Sequence, residues 1–291
     1  IEADHLEHYD GDFAKLKAAY SRFLGQVAAG GKAIVCADDA DALEALASAD
    51  VQAITYAIEA DADYRATDIR LKDRGVVFDI VHGGKRLGTI ELSVPGRHNA
   101  YNALAAFIVC REAGVTFADF ARAIRMFSGA KRRFQVLGEA CGVLVVDDYA
   151  HHPTEIRATI GAAKASGRRI VAVFQPQRYT RTYYLFDEFG KAFGEADEVV
   201  ITDIYSPAGE RQIEGVSSQK LVDLIRANGN ERVRHLPSVG EAADFLLGFV
   251  RSGDLVLTMG AGDIWKASHL LARRLAEREA KGAGANTNVQ P

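Results

Sequence analysis

The sequence predicts an α/β protein whose C-terminal half is a doubly wound, parallel sheet of Rossmann type. Three observations carry this. Short apolar runs rich in β-branched residues, at 143–146, 169–174, 198–201, 233–236 and 254–259, alternate with stretches of helical periodicity. The first run, Val143-Leu144-Val145-Val146, passes straight into Asp147-Asp148-Tyr149-Ala150-His151-His152-Pro153-Thr154-Glu155. Every run but one ends in polar or glycine-rich residues, as in open α/β sheets whose ligands bind beyond the carboxyl ends of the strands.

The elements before this region follow a different pattern. Phe13, Leu16, Ala19, Tyr20, Phe23 and Leu24 recur at helical spacing within 10–27. Residues 32–36 and 51–58 read as strands around a short Ala-rich helix that begins near Asp39. The segments 64–70, 76–81 and 86–94, separated by Asp73-Arg74-Gly75 and Gly83-Gly84, read as an antiparallel meander. Pro95-Gly96 closes it, and His98-Asn99 opens a helix through Ala113, followed by a shorter one near 117–126. Gly129-Ala130-Lys131-Arg132-Arg133-Phe134 joins a flexible hinge to three consecutive positive charges and marks the expected boundary. The expected domains are therefore 1–130 and 131–280, with a polar, disordered tail at 281–291.

Composition bounds the function. With 48% hydrophobic residues, 291 positions supply core for two ordinary domains. A formal net charge of -4 gives no global basic field for nucleic acid or anionic membrane. No apolar run reaches transmembrane length and no signal peptide is visible. Cys36, Cys110 and Cys141 are far apart in apolar settings, which fits reduced thiols in a cytoplasmic protein. The chain opens at Ile1 without methionine, and Glu2-Ala3-Asp4-His5 is already dense in potential ligands, so an N-terminal truncation is expected.

Several residues invite chemistry. The 147–155 loop holds carboxylates, a phenol and two imidazoles; the bland reading is that Asp147 or His152 caps the next helix. Asn99 and Asn102 lie one turn apart and can point into one cleft, although Asn99 can equally be a cap. Arg178 and Arg181, in Gln177-Arg178-Tyr179-Thr180-Arg181-Thr182, are spaced to grip a carboxylate or phosphate. The segment 202–210 reads as a flexible loop with a carboxylate at each end. Gly260-Ala261-Gly262 resembles part of a dinucleotide fingerprint, but Trp265 stands where its third glycine belongs, and close packing explains the glycines as well. No Gly-x-x-x-x-Gly-Lys-Ser/Thr is present.

Together, Ile1 to His5, His98-Asn99 with Asn102, Lys131 to Phe134, Asp147 to Glu155, Arg178 to Thr182 and Gly260 to Ile264 resemble the Mur ligase family over nearly the whole chain. The resemblance is to its members that join L-alanine to UDP-N-acetylmuramate. It implies the remainder of a P-loop-type central ATPase domain, without its P-loop, followed by a Rossmann-like domain that brings the amino acid. It implies ATP as substrate, Mg²⁺ as metal, and carboxylate activation through an acyl phosphate in cytoplasmic peptidoglycan precursor synthesis. It implies a monomer or weak homodimer. His5 matches the metal-linked histidine and Arg133 a position near the γ-phosphate. Asn99, Asn102 and Asp148 match nucleotide positions, and Tyr149, His151, Arg178 and Arg181 match the alanine pocket. Gln177 departs from a histidine common in the family, and Tyr20 aligns where sister ligases carry a carbamylated lysine. Without a P-loop this chain is expected to be inactive and poorly soluble alone. A ligase that recycles a tripeptide onto the same sugar nucleotide, a folate-type ligase and a non-catalytic nucleotide-binding module are the alternatives.

Overall fold

Burial of the β-branched runs and helix stripes sorts the chain into two compact units, Ile1–Ser128 and Gly129–Pro291. The structure, a computed structural model, describes residues 1–207 and 210–286. No described helix is long and apolar enough to cross a membrane.

The first unit holds a five-stranded sheet in the order β1-β2-β3-β4-β5. Strands β1 (Ala33–Cys36) and β2 (Ala53–Ala57) are parallel, and β2 is parallel to β3 (Tyr64–Lys72). Strands β3, β4 (Gly75–His82) and β5 (Lys85–Leu92) form the expected antiparallel meander. Helix α1 (Phe13–Leu24) is capped by Asp12 and α2 (Ala40–Ala47) by Asp39, each side chain accepting from a first-turn N–H. Helices α3 (Arg97–Glu112) and α4 (Phe117–Arg125) bring Leu104, Phe107, Ile108 and Phe120 onto Phe78, Ile80 and Ile90. Phe107 meets Tyr64, Phe117 and Phe120 edge to face, with centroids 5.3–6.1 Å apart.

The second unit holds a six-stranded sheet ordered β10-β9-β8-β11-β7-β6. Strands β7 (Val143–Asp148), β8 (Arg169–Phe174), β9 (Glu198–Ile201), β10 (Val233–His235) and β11 (Asp254–Met259) are parallel. Strand β6 (Gln135–Ala140) runs antiparallel to β7 at the edge, so the sheet is mixed and not wholly parallel as expected. Its physical signature is weak: β6 is half exposed and interrupted by a bulge between Val136 and Gly138, and it carries no continuous apolar run. Helices α5 (Pro153–Lys164), α7 (Phe186–Lys191) and α8 (Ser218–Ala227) bury Ile156, Phe189 and Leu221 on one face. Helices α9 (Val239–Phe249) and α10 (Trp265–Asn286) bury Leu246 and Leu271 on the other. Short helix α6 (Tyr179–Tyr184) follows β8.

The chain leaves β8 toward β9 on one side, whereas α10, leaving β11, packs against β6 and β7 on the other. The carboxyl ends of β8 and β11 thus flank a topological switch point, where open α/β sheets bind ligands. Residues 281–286, expected as disordered, continue α10 through Asn286; residue 141 anchors the helix, its N–H donating to Glu279 at 2.7 Å. Residues 287–291 of that tail, and Ala208 and Gly209 of the 202–210 loop, lie outside the described residues.

Candidate functional site

In the first unit, a single turn of 3₁₀ helix at Leu6–His8 folds the opening segment back on itself, with His5 in the left-handed region at φ 56°. The half-exposed His5 imidazole lies 3.5 Å from the Glu7 carboxylate and 3.7 Å from that of Asp4, and His8 lies 3.9 Å from Glu7. His5, Glu7 and His8 each offer one donor atom, all within 4.8 Å of one another. Glu7 is a hard oxygen donor of the kind Mg²⁺ prefers, and the imidazoles suit softer divalent ions.

Asn99 and Asn102 both stand on the first turns of α3. Gly96, not Asn99, occupies the cap position; the Asn99 amide donates to the Pro95 carbonyl at 2.7 Å and accepts from Asn102 at 3.2 Å. The two amides therefore form one hydrogen-bonded pair. Beside them in sequence, the Tyr101 hydroxyl donates to Asp38 at 2.7 Å, and Ile58 and Ala60 N–H donate at 2.6 Å each. Burial acts to raise the Asp38 pKa, but the donors from Ile58, Tyr101, Ala60 and Glu59 more than reverse it and hold it at about 2.

In the second unit the loop after β7 gathers four of the expected residues. Asp148 is buried, and its carboxylate accepts from Phe134 N–H at 2.6 Å and Ala150 N–H at 2.7 Å. Burial nevertheless dominates and pushes its pKa up to about 6. Asp147, fully buried, accepts from Thr258 Oγ1 at 2.9 Å and from Arg132 Nε at 3.1 Å. The Tyr149 ring lies under two guanidinium groups, Arg132 at 4.8 Å and Arg133 at 5.7 Å. His151 Nδ1 lies 2.9 Å from the Tyr149 carbonyl, and since a carbonyl only accepts, Nδ1 carries the proton. His152 is the N-cap of α5, and Glu155 completes a capping box, accepting from His151 and His152 N–H. Burial would raise the Glu155 pKa, but these N–H groups, His151 and Arg133 together hold it below the ordinary value. Arg133 reaches Glu155 at 3.4 Å, so it is tied to the same loop.

Arg178 and Arg181 sit one loop away, after β8. Arg178 is the N-cap of α6 at φ 69°, and its carbonyl accepts from Thr182 N–H and Oγ1 at 3.1 and 2.8 Å. Arg181 is buried and donates to Gln177 Oε1 at 2.8 Å, so the glutamine that departs from the family pattern orients an arginine. The glycine-rich turn after β11 serves packing. A Cβ on Gly260 would lie 2.8 Å from the Gln175 carbonyl, and one on Gly262 only 2.3 Å from Gln175 Oε1. Gln175 Oε1 accepts from Asp263 and Ile264 N–H at 2.8 and 3.1 Å, and Nε2 donates to Asp263 at 2.9 Å, which ties the segment after β8 to the turn after β11.

Three residues of this region take roles that the sequence did not assign them. Arg132, next to the expected Arg133, ties the hinge to two strand ends through Asp147 and the Gly260 carbonyl, the latter at 2.5 Å. Gln175 and Glu210 act through contacts distant in sequence. Only the basic triplet and the carboxylate at the end of the 202–210 loop pointed toward two of them.

Two α/β units, the second carrying carboxylates, imidazoles and arginines along the carboxyl edge of a Rossmann-like sheet, place this chain in the α/β class whose folds bind ligands at that edge. Residues 1–110 match the Mur ligase middle domain and residues 132–262 the Mur ligase glutamate ligase domain, and the chain belongs to the Mur ligase family. It is 45% identical to the UDP-N-acetylmuramate–L-alanine ligase of Symbiobacterium thermophilum, over 100% of this chain and 62% of that protein. It is 47% identical to the enzyme of the same name from Pelotomaculum thermopropionicum, over 97% of this chain and 61% of that one. The chain thus spans about three fifths of these relatives' length. Among solved structures, the UDP-N-acetylmuramate-alanine ligase MurC of Thermotoga maritima superposes with a TM-score of 0.74 at 26% identity, covering 97% of this chain and 58% of that one. A MurF ligase from Thermotoga maritima in complex with ADP has a TM-score of 0.74 at 17% identity, covering 96% and 61%, and shows the shared fold.

Proposed function

We propose that this chain is the nucleotide- and amino-acid-binding portion of an ATP-dependent ligase that joins L-alanine to UDP-N-acetylmuramate in the cytoplasm. The observation that carries the reading is the loop after β7, where buried Asp148 adjoins Tyr149, His151 and the Arg132-Arg133 pair at the carboxyl edge of the sheet. The names of the relatives supply the substrates.

In this reading the muramoyl carboxylate attacks the γ-phosphorus of ATP and ADP departs. The amine of L-alanine then attacks the acyl phosphate carbonyl, loses a proton, and phosphate leaves. Activation is required because an oxide is a poor leaving group. Asn99 and Asn102 act at the adenine. Asp148 accepts from the ribose hydroxyls, and its pKa near 6 makes this acceptor weaken as pH falls through that value. Arg133 offers positive charge where phosphoryl charge develops. Arg178 and Arg181 take the amino acid carboxylate, while Tyr149 and His151, whose rings meet edge to face, border the amine. His5 and Glu7 are the groups of this chain suited to help hold Mg²⁺, which when bound would neutralise charge spreading onto the transferred phosphoryl oxygens.

The test is phosphate release by the full-length protein with ATP and UDP-N-acetylmuramate, L-alanine and tripeptide in competition. The reading requires release that depends on alanine and is not displaced by tripeptide. Release driven by tripeptide alone assigns a recycling ligase, and no amine-dependent release removes the catalytic reading.

A further inference from the structure

The loop after β8 has an unusual construction. An α-helix normally begins at a Ser, Thr, Asp or Asn whose side chain accepts one of the first N–H groups. Helix α6 begins instead at Arg178, whose side chain does not cap the first turn and whose backbone sits at φ 69°, ψ 133°, a conformation that side-chain-bearing residues rarely adopt. Such a backbone persists only when its surroundings over-determine it. Here they come from the loop after β9. The Tyr205 carbonyl accepts from Arg178 N–H at 2.9 Å, and Tyr205 N–H donates to the Pro176 carbonyl at 2.8 Å. The Glu210 carboxylate accepts from Tyr179 N–H at 3.1 Å, Thr180 N–H at 3.2 Å, Thr180 Oγ1 at 2.9 Å and Ser206 Oγ at 3.0 Å.

We propose that Glu210 is a positioning residue for the amino-acid pocket: it supplies from the neighbouring loop the helix cap that Arg178 cannot, and so fixes the Arg178–Arg181 turn before substrate arrives. The proposal rests on the reading of these arginines as the carboxylate grip. Four donors engage the carboxylate, so it serves the turn and is not offered to the amino acid. The division of labour has a physical logic. A Ser or Asp at position 178 would cap α6 locally but carry no guanidinium, whereas an imported carboxylate leaves the cap position to an arginine. Pre-setting the grip lowers the ordering cost of binding, an effect on affinity for the amino acid alone.

The experiment is steady-state kinetics of the full-length protein as wild type, Glu210→Ala, Glu210→Gln and Ser206→Ala, with KM measured for L-alanine, ATP and UDP-N-acetylmuramate and unfolding followed by circular dichroism. Glu210→Ala is expected to raise KM for L-alanine about tenfold or more, with the other two KM values within twofold and the unfolding transition cooperative. Glu210→Gln keeps one acceptor oxygen for Thr180 but turns an N–H donor toward Tyr179, and falls between wild type and Glu210→Ala. Ser206→Ala, losing one donor to the carboxylate, shifts KM about twofold. Unchanged KM for alanine in a folded Glu210 variant, an equal rise for all three substrates, or failure of both Glu210 variants to fold would each overturn the proposal. Absence of alanine-dependent turnover in the wild type would instead remove the functional reading, before any variant is measured.

Discussion

Replacing Asp148 with asparagine isolates the energetics of a buried charge. Its pKa stands at about 6 against an ordinary 3.8, because burial outweighs the two N–H groups that favour the carboxylate. The folded state therefore holds the proton more tightly than the unfolded chain. The sign follows: stability falls as pH rises from about 4 to about 6, and the penalty is complete above that window. Two pKa units at 1.36 kcal/mol each make it roughly 3 kcal/mol. Asparagine has nearly the same shape and no charge. It loses one acceptor oxygen to an amide that faces an N–H donor, a cost of about 1–3 kcal/mol that does not vary with pH. The stability of Asp148→Asn relative to wild type should thus rise by about 2 kcal/mol or slightly more between pH 4 and pH 7.5, since part of the penalty is already present at pH 4. Trp265 is the chain's single tryptophan and lies in the second unit, so its fluorescence in urea reports that unit's unfolding at each pH. A difference flat to within about 0.5 kcal/mol over this range would refute the argument that burial controls this carboxylate.

Further consequences follow from the same unit. Asp254 is buried and receives Arg169 through two hydrogen bonds of 2.8 and 2.7 Å, so Arg169→Ala, which strands the carboxylate, should cost about 3–5 kcal/mol in urea unfolding at pH 7. Burial would raise the Asp254 pKa, but Arg169 and the Arg251 N–H hold it below its ordinary value; the pair's contribution is present above about pH 4 and lost as pH falls further, so the cost of the substitution should shrink in acid. Gly262→Ala places a methyl 2.3 Å from Gln175 Oε1 and 2.7 Å from Tyr205 Cγ; a loss of about 1–3 kcal/mol is expected by thermal unfolding, and a neutral result would contradict the close packing assigned to this turn. Arg132→Ala removes contacts to Asp147 and Gly260 together, and should destabilise the second unit more than Arg133→Ala, because Arg133 is itself half exposed and only reaches Glu155 at 3.4 Å; equal unfolding midpoints would refute that ranking.

How far the sequence could be read depends on the range of the interactions involved. The passage from β7 through the 147–155 loop into α5 was legible because each signal is local: four apolar residues, then polar ones, then Pro153 at the first helical position with Glu155 in its capping box. The meander was legible from its glycine turns. Strand β6 was not, because an edge strand with one half-exposed face and a bulge has no period to detect. At the site, residue types were readable but their states were not. The raised pKa of Asp148 depends on burial, Asn99 gave its cap position to Gly96, and the cap of α6 comes from Glu210, thirty residues from Thr180. The chain beyond Lys281 looked disordered by composition, yet α10 persists through Asn286 once its earlier turns are packed on the sheet.

The central claim is that a carboxylate is activated through an acyl phosphate and captured by alanine. The full-length protein, given ATP, L-alanine and UDP-N-acetylmuramate labelled with ¹⁸O in the muramoyl carboxylate, tests it directly. The mechanism predicts that each phosphate released carries one ¹⁸O atom and that release requires alanine. Phosphate without label would place water, not the carboxylate, at the γ-phosphorus, and would contradict the account.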